Sequence, residues 1–429
     1  MAKGLYPFPE KGTNGSCRRN FLIALENGEV YNREDKIYCK GSYIRRQKRR
    51  LVFMEKYLGE KIPKLGFGLM RLPMLGDEVD VEQTKKMVDL FMEKGFYYFD
   101  TAYGYLNGKS EEAIKAALVD RYPREKYLLA TKLPAWAGVK TKEEAQQMFE
   151  TSLARTGAGY FDFYLLHNLG EKRTHYFDDF DIWNFLMKKK EEGKIRHLGF
   201  SFHDKADVLD EILKAHPEME FVQLQINYAD WEEPTIESRK CYEVARKHGK
   251  PIIIMEPVKG GNLANPPEAV KKIFEAADPQ ASPASWAIRY AASLDGIITV
   301  LSGMSTLEQM EDNLSYMSDF KPLSEEEQKT VEKAREILHS IPTVPCTACA
   351  YCMKGCPENI SIYGTFQAIN LYYMYENLEA AKGKYGWFTD GQGYTKASEC
   401  VECGQCEEVC PQHISIREEL KKAAEILEK

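Results

Sequence analysis

Eight short apolar runs, each trailed by a stretch with helical periodicity, recur between residues 65 and 316. This alternation constrains the fold more than any other feature. The runs lie at 65–69, 96–100, 127–132, 161–167, 195–202, 221–228, 252–255 and 297–301. Helical patterns follow them at 81–94, 110–118, 142–155, 182–192, 204–215, 236–247, 269–277 with 283–292, and 307–316; Asp204 is placed as an N-cap. Eight strands with eight helices predict an α/β chain closed into a parallel (β/α)8 TIM barrel. A doubly wound open sheet is the rival. It would carry a glycine-rich phosphate fingerprint after its first strand, and Gly66-Phe67-Gly68-Leu69-Met70-Arg71 lacks the third glycine.

In a barrel of this kind the chemistry gathers at the C-terminal strand ends. Asp100, Lys132, His167, Ser201, Gln225 and Met255 all fall there. Tyr105 follows Asp100 by five residues, on a glycine-flanked turn. A carboxylate at a strand end and a phenol in the next loop can converge on one pocket. Asp, Tyr, Lys and His together form a proton-transfer constellation. Carbonyl reduction needs a hydride donor beside the carbon and a proton donor near the oxygen. A phenol with a pKa of about 10 serves only if its neighbours tune it.

The stretches Phe99-Asp100-Thr101-Ala102-Tyr103-Gly104-Tyr105, Ala130-Thr131-Lys132 and Leu165-Leu166-His167-Asn168 resemble the aldo-keto reductase family, over roughly residues 58–320. The resemblance implies an NAD(P)-dependent oxidoreductase with Tyr105 as proton donor. It implies that Lys132 stabilises the phenolate, that Asp100 holds the lysine and that His167 orients the carbonyl. It also matches Ser201 and Gln225 to contacts with the nicotinamide amide, while Phe202 stands where the family usually has Asn. Met255 occupies the place of a stacking aromatic; it is equally readable as core. The run from Leu301 through Gly303, Ser305, Gln309 and Asn313 resembles the phosphate- and adenine-binding segment, where helix N-terminal amides suit an anion. Thr306 and Gln309 replace the basic residues that grip a 2′-phosphate, so NADPH and NADH both stay open. Lys259 either reaches the pyrophosphate or lies in solvent. Trp136, Trp231 and Tyr103 are candidate pocket walls, and His203 is a candidate polar contact.

Eleven cysteines are too many for disulfides in a reducing compartment, and eight of them sit in two tight groups. Cys346-x2-Cys349-x2-Cys352-x3-Cys356-Pro357 recurs as Cys400-x2-Cys403-x2-Cys406-x3-Cys410-Pro411. Zinc takes four thiolates, usually from two separated pairs. Three cysteines at i, i+3 and i+6 plus a remote Cys-Pro resemble a bacterial-type ferredoxin with two [4Fe–4S] clusters. By that resemblance the fourth cysteine crosses over, giving one set of Cys346, Cys349, Cys352 and Cys410 and another of Cys356, Cys400, Cys403 and Cys406. The 43 residues between the motifs suit a helical variety, in which the crossover stays open. Cys241 reads as buried packing within a helix.

Residues 1–53 carry 12 Lys/Arg against 5 Asp/Glu, while the whole chain has a net charge of −7. They read as a basic extension that is either a disordered arm or not native. On the second reading Met54 is the initiator, and Arg49-Arg50 is a translated ribosome-binding sequence. The remaining boundaries fall at 54–322 for the barrel, 323–342 for a helical linker and 343–429 for the iron–sulfur domain. The acidic balance argues against nucleic acid as a partner. No apolar run approaches the ~20 residues of a membrane span, so the expectation is a cytoplasmic enzyme.

A nicotinamide gives two electrons at once and each cube carries one. A flavin would convert between them, though no flavin motif stands out. Three readings follow: an oxidoreductase for a small carbonyl or alcohol whose clusters relay electrons through an added converter or a redox partner, a carbonyl reductase with structural clusters, or a non-catalytic redox sensor or electron carrier.

Overall fold

The apolar residues of the eight strands divide by parity, and that division builds both the core and the site. The computed structural model describes residues 54–429 apart from 234–235 and 376–377; the basic extension and the proposed start at Met54 concern residues 1–53, which lie outside this range. Strands β1 (Leu65–Gly68), β2 (Tyr98–Asp100), β3 (Leu128–Leu133), β4 (Phe161–Leu169), β5 (Ile195–Phe202), β6 (Phe221–Gln225), β7 (Ile252–Met255) and β8 (Ile297–Ser302) pair in parallel, in chain order. β8 closes back on β1. This is a (β/α)8 barrel.

Side chains alternate across a strand. Tyr98, Ala130, Phe163, Leu165, Phe221, Ile253 and Ile298 form the interior cluster. The alternate residues, among them Phe99, Leu129, Tyr164, Leu166, Val222 and Ile254, pack outward in the cluster shared with the helices. Two residues beyond Tyr98, Ala130, Leu165, Phe221 and Ile253 stand Asp100, Lys132, His167, Gln223 and Met255. The inward rows are therefore apolar low in the barrel and polar at its C-terminal mouth. An antiparallel hairpin, Met54–Tyr57 with Glu60–Pro63, lies at the other end and contributes Ile62 to the interior cluster.

Several expectations shift. β4 continues two residues past His167, with Asn168 at a φ of 62°. β6 stops at Gln225 instead of running to 228, because the Asn227 side chain accepts from the Asp230 amide at 2.9 Å and turns the chain away. Asp204 does not cap a helix. The helix starts at Ala206, and the Asp204 carboxylate accepts from the Glu171 and Lys205 amides, each at 2.8 Å. The helix expected from 236 begins at Ser238, and a short helix, Thr174–Asp179, had no counterpart in the sequence reading.

Beyond the barrel, Glu325–Ser340 is a helix begun by a capping box of Ser324 and Glu327. The tail holds helices Ile362–Tyr375, Leu378–Gly386 and Ile416–Leu427 around its own apolar core of Ile360, Phe366, Ile369, Ile416 and Leu420. No helix among the described residues is long and apolar enough to cross a membrane.

One acid clamps β5 to the segment entering β6. Glu220 accepts from the Leu198 amide at 2.8 Å and from Lys190 at 2.5 Å, and meets His197 at 3.2 Å. Burial pushes its pKa up, but these hydrogen bonds prevail and draw it down from 4.5 to about 2. A depressed carboxylate contributes stability that is present above its unfolded value and lost as the pH falls through its folded one. Glu220→Gln should therefore destabilise the barrel by about 2–3 kcal/mol at neutral pH. The deficit against wild type should shrink as unfolding is measured from pH 4.5 toward about 2. A pH-independent deficit would show that the charge is not responsible.

Candidate active site

The inward rows deliver four ionisable groups to one point. Lys132, fully buried on β3, forms an ion pair with Asp100 on β2. The same ammonium donates to the Thr101 carbonyl at 2.7 Å and to the Tyr105 hydroxyl at 3.3 Å. Gln223 on β6 donates to the other oxygen of Asp100 at 3.1 Å. The His167 ring stands edge-on to Tyr105, with centroids 5.9 Å apart. Asp100, Lys132, Tyr105 and His167 are thus brought together.

Burial dominates their ionisation. It raises Asp100 and lowers Lys132, and their mutual attraction opposes both shifts. Burial, then the neighbouring Lys132 charge, hold His167 well below the histidine range, so its ring is neutral. Burial, then Asp100 and Glu256, hold Tyr105 well above its ordinary value. The phenol is therefore protonated across the neutral range.

The remaining expected contacts lie on the rim. Ser201 ends an inward row of β5 above Gly199, where an added Cβ would come within 2.4 Å of the Phe221 carbonyl. Its hydroxyl accepts from the Asn168 amide at 2.8 Å. Gln225 and Met255 are neighbours across β6 and β7. Gly303, Ser305, Gln309 and Asn313 line a separate groove of about 440 Å³ with Arg71 and Glu256, a size in the range of small-molecule sites. Lys259 does not lie free in solvent, being ion-paired at 2.5 Å to buried Asp230. Trp136 walls the site, donating to the His167 carbonyl at 2.7 Å, whereas Trp231 packs on Tyr242 and Tyr290. Tyr103 lies under Arg155, and half-buried His203 is pushed down to about 3 by desolvation.

The cysteine tail closes over this mouth. The Tyr351 hydroxyl lies 3.2 Å from His167 Nε2. Gln412 and Gln225 exchange two amide hydrogen bonds, of 2.9 and 2.6 Å. Arg71 pairs with Glu256 at 3.3 Å and donates to the Thr347 carbonyl at 2.8 Å. Arg173 joins Asn168 at 2.7 Å to the Glu408 carbonyl at 3.3 Å. The approach is close enough that a Cβ on Gly260 would sit 2.5 Å from the Thr347 carbonyl, and Gly260 also has a φ of 66°.

Within the tail, Cys346, Cys349, Cys352 and Cys410 line one cavity, and Cys356, Cys400, Cys403 and Cys406 line another. Among the described residues no three His, Cys, Asp or Glu side chains converge as they would on a single metal ion. Each set surrounds a space, which suits a multi-iron cube better than zinc. Backbone amides of Ala348 and Ile360 donate to Cys346 and Cys356 sulfurs, each at 3.4 Å, which favours thiolate ligands. The all-thiol donor set fits a [4Fe–4S] group. Cys241 is a buried helix residue, as expected.

The model of the aldo/keto reductase family matches residues 64–336, well over half of the chain. The chain belongs to the aldo/keto reductase family. Membership makes it an oxidoreductase, in a family that works with NAD(P). A model described as a 4Fe-4S dicluster domain matches residues 345–414 of this reductase. An aldo-keto reductase of Mycolicibacterium vanbaalenii is 30% identical over 257 residues, covering 59% of this chain and 82% of that protein. The methylglyoxal reductase DkgA of Yersinia pestis is 33% identical, over 34% of this chain and 48% of its own length. Among solved structures, the holo form of aldo-keto reductase AKR11C1 from Bacillus halodurans aligns with a TM-score of 0.54 at 22% identity. It covers 66% of this chain and 96% of that one, a likeness of fold.

The sequence reading of this reductase missed Tyr351, Gln412, Gln223 and Glu256 as neighbours of the site. Tyr351 and Gln412 sit inside or beside cysteine motifs, where the ligands hide them. Gln223 stands two residues before Gln225 on an inward row, a signal that strand parity could have raised.

Proposed function

We propose that the protein is an NAD(P)H-dependent oxidoreductase that interconverts a small carbonyl compound and its alcohol. In this reading residues 54–322 carry the reaction, and the domain at 343–429 carries two [4Fe–4S] clusters for electron transfer. The observation that supports the first part best is Lys132, buried and shared between Asp100 and the Tyr105 hydroxyl. Asp100 keeps the ammonium charged against burial. Lys132 in turn favours the phenolate left when Tyr105 gives its proton to the carbonyl oxygen. Neutral His167 offers a hydrogen bond that orients that oxygen without competing as an acid.

When bound, the nicotinamide supplies a hydride to the carbonyl carbon. Ser201 and Gln225 would hold its amide and Met255 would lie beside the ring. Gly303, Ser305, Gln309 and Asn313 would line the rest of the nucleotide. Two features favour NADH over NADPH. Glu308, Asp312 and Glu256 line the groove with Arg71, so its ionisable side chains are mainly acidic. The helix start is also satisfied internally, because Thr306 accepts from the Gln309 amide at 3.3 Å and Gln309 from the Ser305 amide at 2.8 Å. A 2′-phosphate would meet acids and no free arginine fork.

Electron transfer is favoured over purely structural clusters by the placement of the first cysteine set. Its loops face His167 and Gln225 directly, as a relay to the catalytic mouth would require. Cys403, in the second set, is exposed and gives a redox partner access.

Anaerobic titration of cluster-loaded protein with NADH and then NADPH, followed by cluster absorbance and low-temperature EPR, checks this reading. With a flavin added as the two-to-one-electron converter, reduction of the clusters, more readily by NADH, is the expected result: the hydride's two electrons divide between the two cubes and its proton is released. If neither nucleotide reduces them while an aldehyde is still turned over, the electron-transfer assignment fails.

A further inference from the structure

The barrel–tail hydrogen bonds described above share an origin. Thr347 and Tyr351 lie between ligands of the first cysteine set, and Glu408 and Gln412 flank Cys410 by two residues on either side. All four belong to loops that this set would organise. Two of them do more than fasten one domain to another.

Gln225 uses both ends of its side-chain amide on Gln412, donating at 2.9 Å and accepting at 2.6 Å. Gln412 is a primary carboxamide, the same group that a nicotinamide presents. Both glutamines are buried, at 5% and 2% exposure, so the pair is not a surface contact. His167 Nε2 meets the Tyr351 hydroxyl at 3.2 Å, an O–H group standing where a substrate's carbonyl or alcohol oxygen would stand. Trp136 packs on both rings, with centroids 6.1 Å from His167 and 6.0 Å from Tyr351, and so fixes the arrangement. One domain thus satisfies the partner of each of two ligands with a side chain of that ligand's own chemistry.

We propose that Gln412 and Tyr351 set the affinity of the barrel for its two ligands, Gln412 holding the nicotinamide amide's place at Gln225 and Tyr351 the carbonyl oxygen's place at His167. This rests on the functional reading above, which makes Gln225 and His167 the partners of those groups. The groove lined by Gly303, Ser305 and Gln309 includes neither Gln225 nor His167, and the tail meets it at Arg71 and Gly260 through Thr347, so the adenosine end of a nucleotide can dock first. The nicotinamide then exchanges one amide for another at Gln225. Such an exchange is nearly neutral in hydrogen bonds, and what opposes it is the remaining hold of the tail. A binding-competent form populated only in part weakens apparent affinity by that fraction. Removing one holding contact should therefore tighten binding of the ligand it mimics.

The test uses anaerobic, cluster-loaded, full-length protein. NADH affinity is measured by nicotinamide fluorescence and KM with benzaldehyde as probe, in wild type, Gln412→Ala and Tyr351→Phe. Gln412→Ala should bind NADH about tenfold more tightly, the worth of a hydrogen bond or two. Tyr351→Phe should lower the benzaldehyde KM several-fold, with a smaller effect on NADH affinity. Hydrogen–deuterium exchange on the wild type removes any dependence on variant folding: saturating NADH should speed exchange in 345–352 and 408–413. Unchanged or weaker NADH binding by Gln412→Ala, or unchanged or slower exchange in wild type that does bind NADH, overturns the proposal alone. Absence of NADH and NADPH binding in all three proteins overturns it together with the functional reading.

Discussion

Replacing Tyr105 with phenylalanine should lower kcat for carbonyl reduction by about 10²–10⁴-fold, the usual worth of a positioned general acid. The change removes one hydroxyl, whose described hydrogen bond comes from Lys132 at 3.3 Å. Lys132 keeps its ion pair with Asp100 and its bond to the Thr101 carbonyl, so the fold should be little disturbed. Nucleotide affinity and cluster EPR should stay close to wild type, since neither the groove at Gly303 nor the cysteine cavities include this phenol. Steady-state kinetics beside a nucleotide titration separates the outcomes. Turnover within a few-fold of wild type would remove Tyr105 from the mechanism and leave the phenol of Tyr351 to be tested next.

The second large effect is on stability. Lys132→Met leaves Asp100, only 2% exposed, without its cation and with Gln223 as its side-chain donor. Breaking one side of a buried pair typically costs about 3–5 kcal/mol, because the stranded charge has neither partner nor water. The pH dependence has a definite sign. Burial already raises the Asp100 pKa above the ordinary carboxylate range, and loss of Lys132 raises it further. A carboxyl whose folded pKa is raised binds its proton more tightly in the folded state. The variant should therefore be least impaired in acid, with its deficit growing as the pH rises through that pKa. Adding Asp100→Asn removes the stranded charge and should restore part of the loss. Denaturant unfolding of the two variants at acid and neutral pH checks this, and a flat or inverted profile would show that the pair is not the cause.

Much of this architecture was legible along the chain, for reasons that are local. A strand buried on both faces needs an apolar run, and a helix covering it needs its own period, so the eight units from β1 to β8 announced themselves. The cysteine motifs were equally plain, since the cube chemistry dictates ligand spacing. Asp100, Lys132 and His167 were identifiable because each ends such a run. Their convergence follows from the parity that placed Tyr98, Ala130 and Leu165 one pleat below them.

Element ends were less legible, because they depend on contacts between distant residues. Asp204 looked like a helix cap until the Glu171 amide claimed its carboxylate. Lys259 had no partner in sequence until the loop after β6 presented Asp230. Burial of the Tyr105 phenol, which holds its pKa up, was not readable along the chain.

By itself the sequence determined the barrel, the four polar residues that converge at its mouth and the two cysteine motifs, because periodicity and ligand spacing are short-range properties of a chain. Only the tertiary structure decided how the thiols divide between cavities, and that the tail's Tyr351 and Gln412 stand on His167 and Gln225. Those contacts join residues 184 and 187 positions apart. Nothing in the local pattern of either segment encodes the meeting, which arises only when the loops of the first cysteine set pack against the open mouth of the barrel.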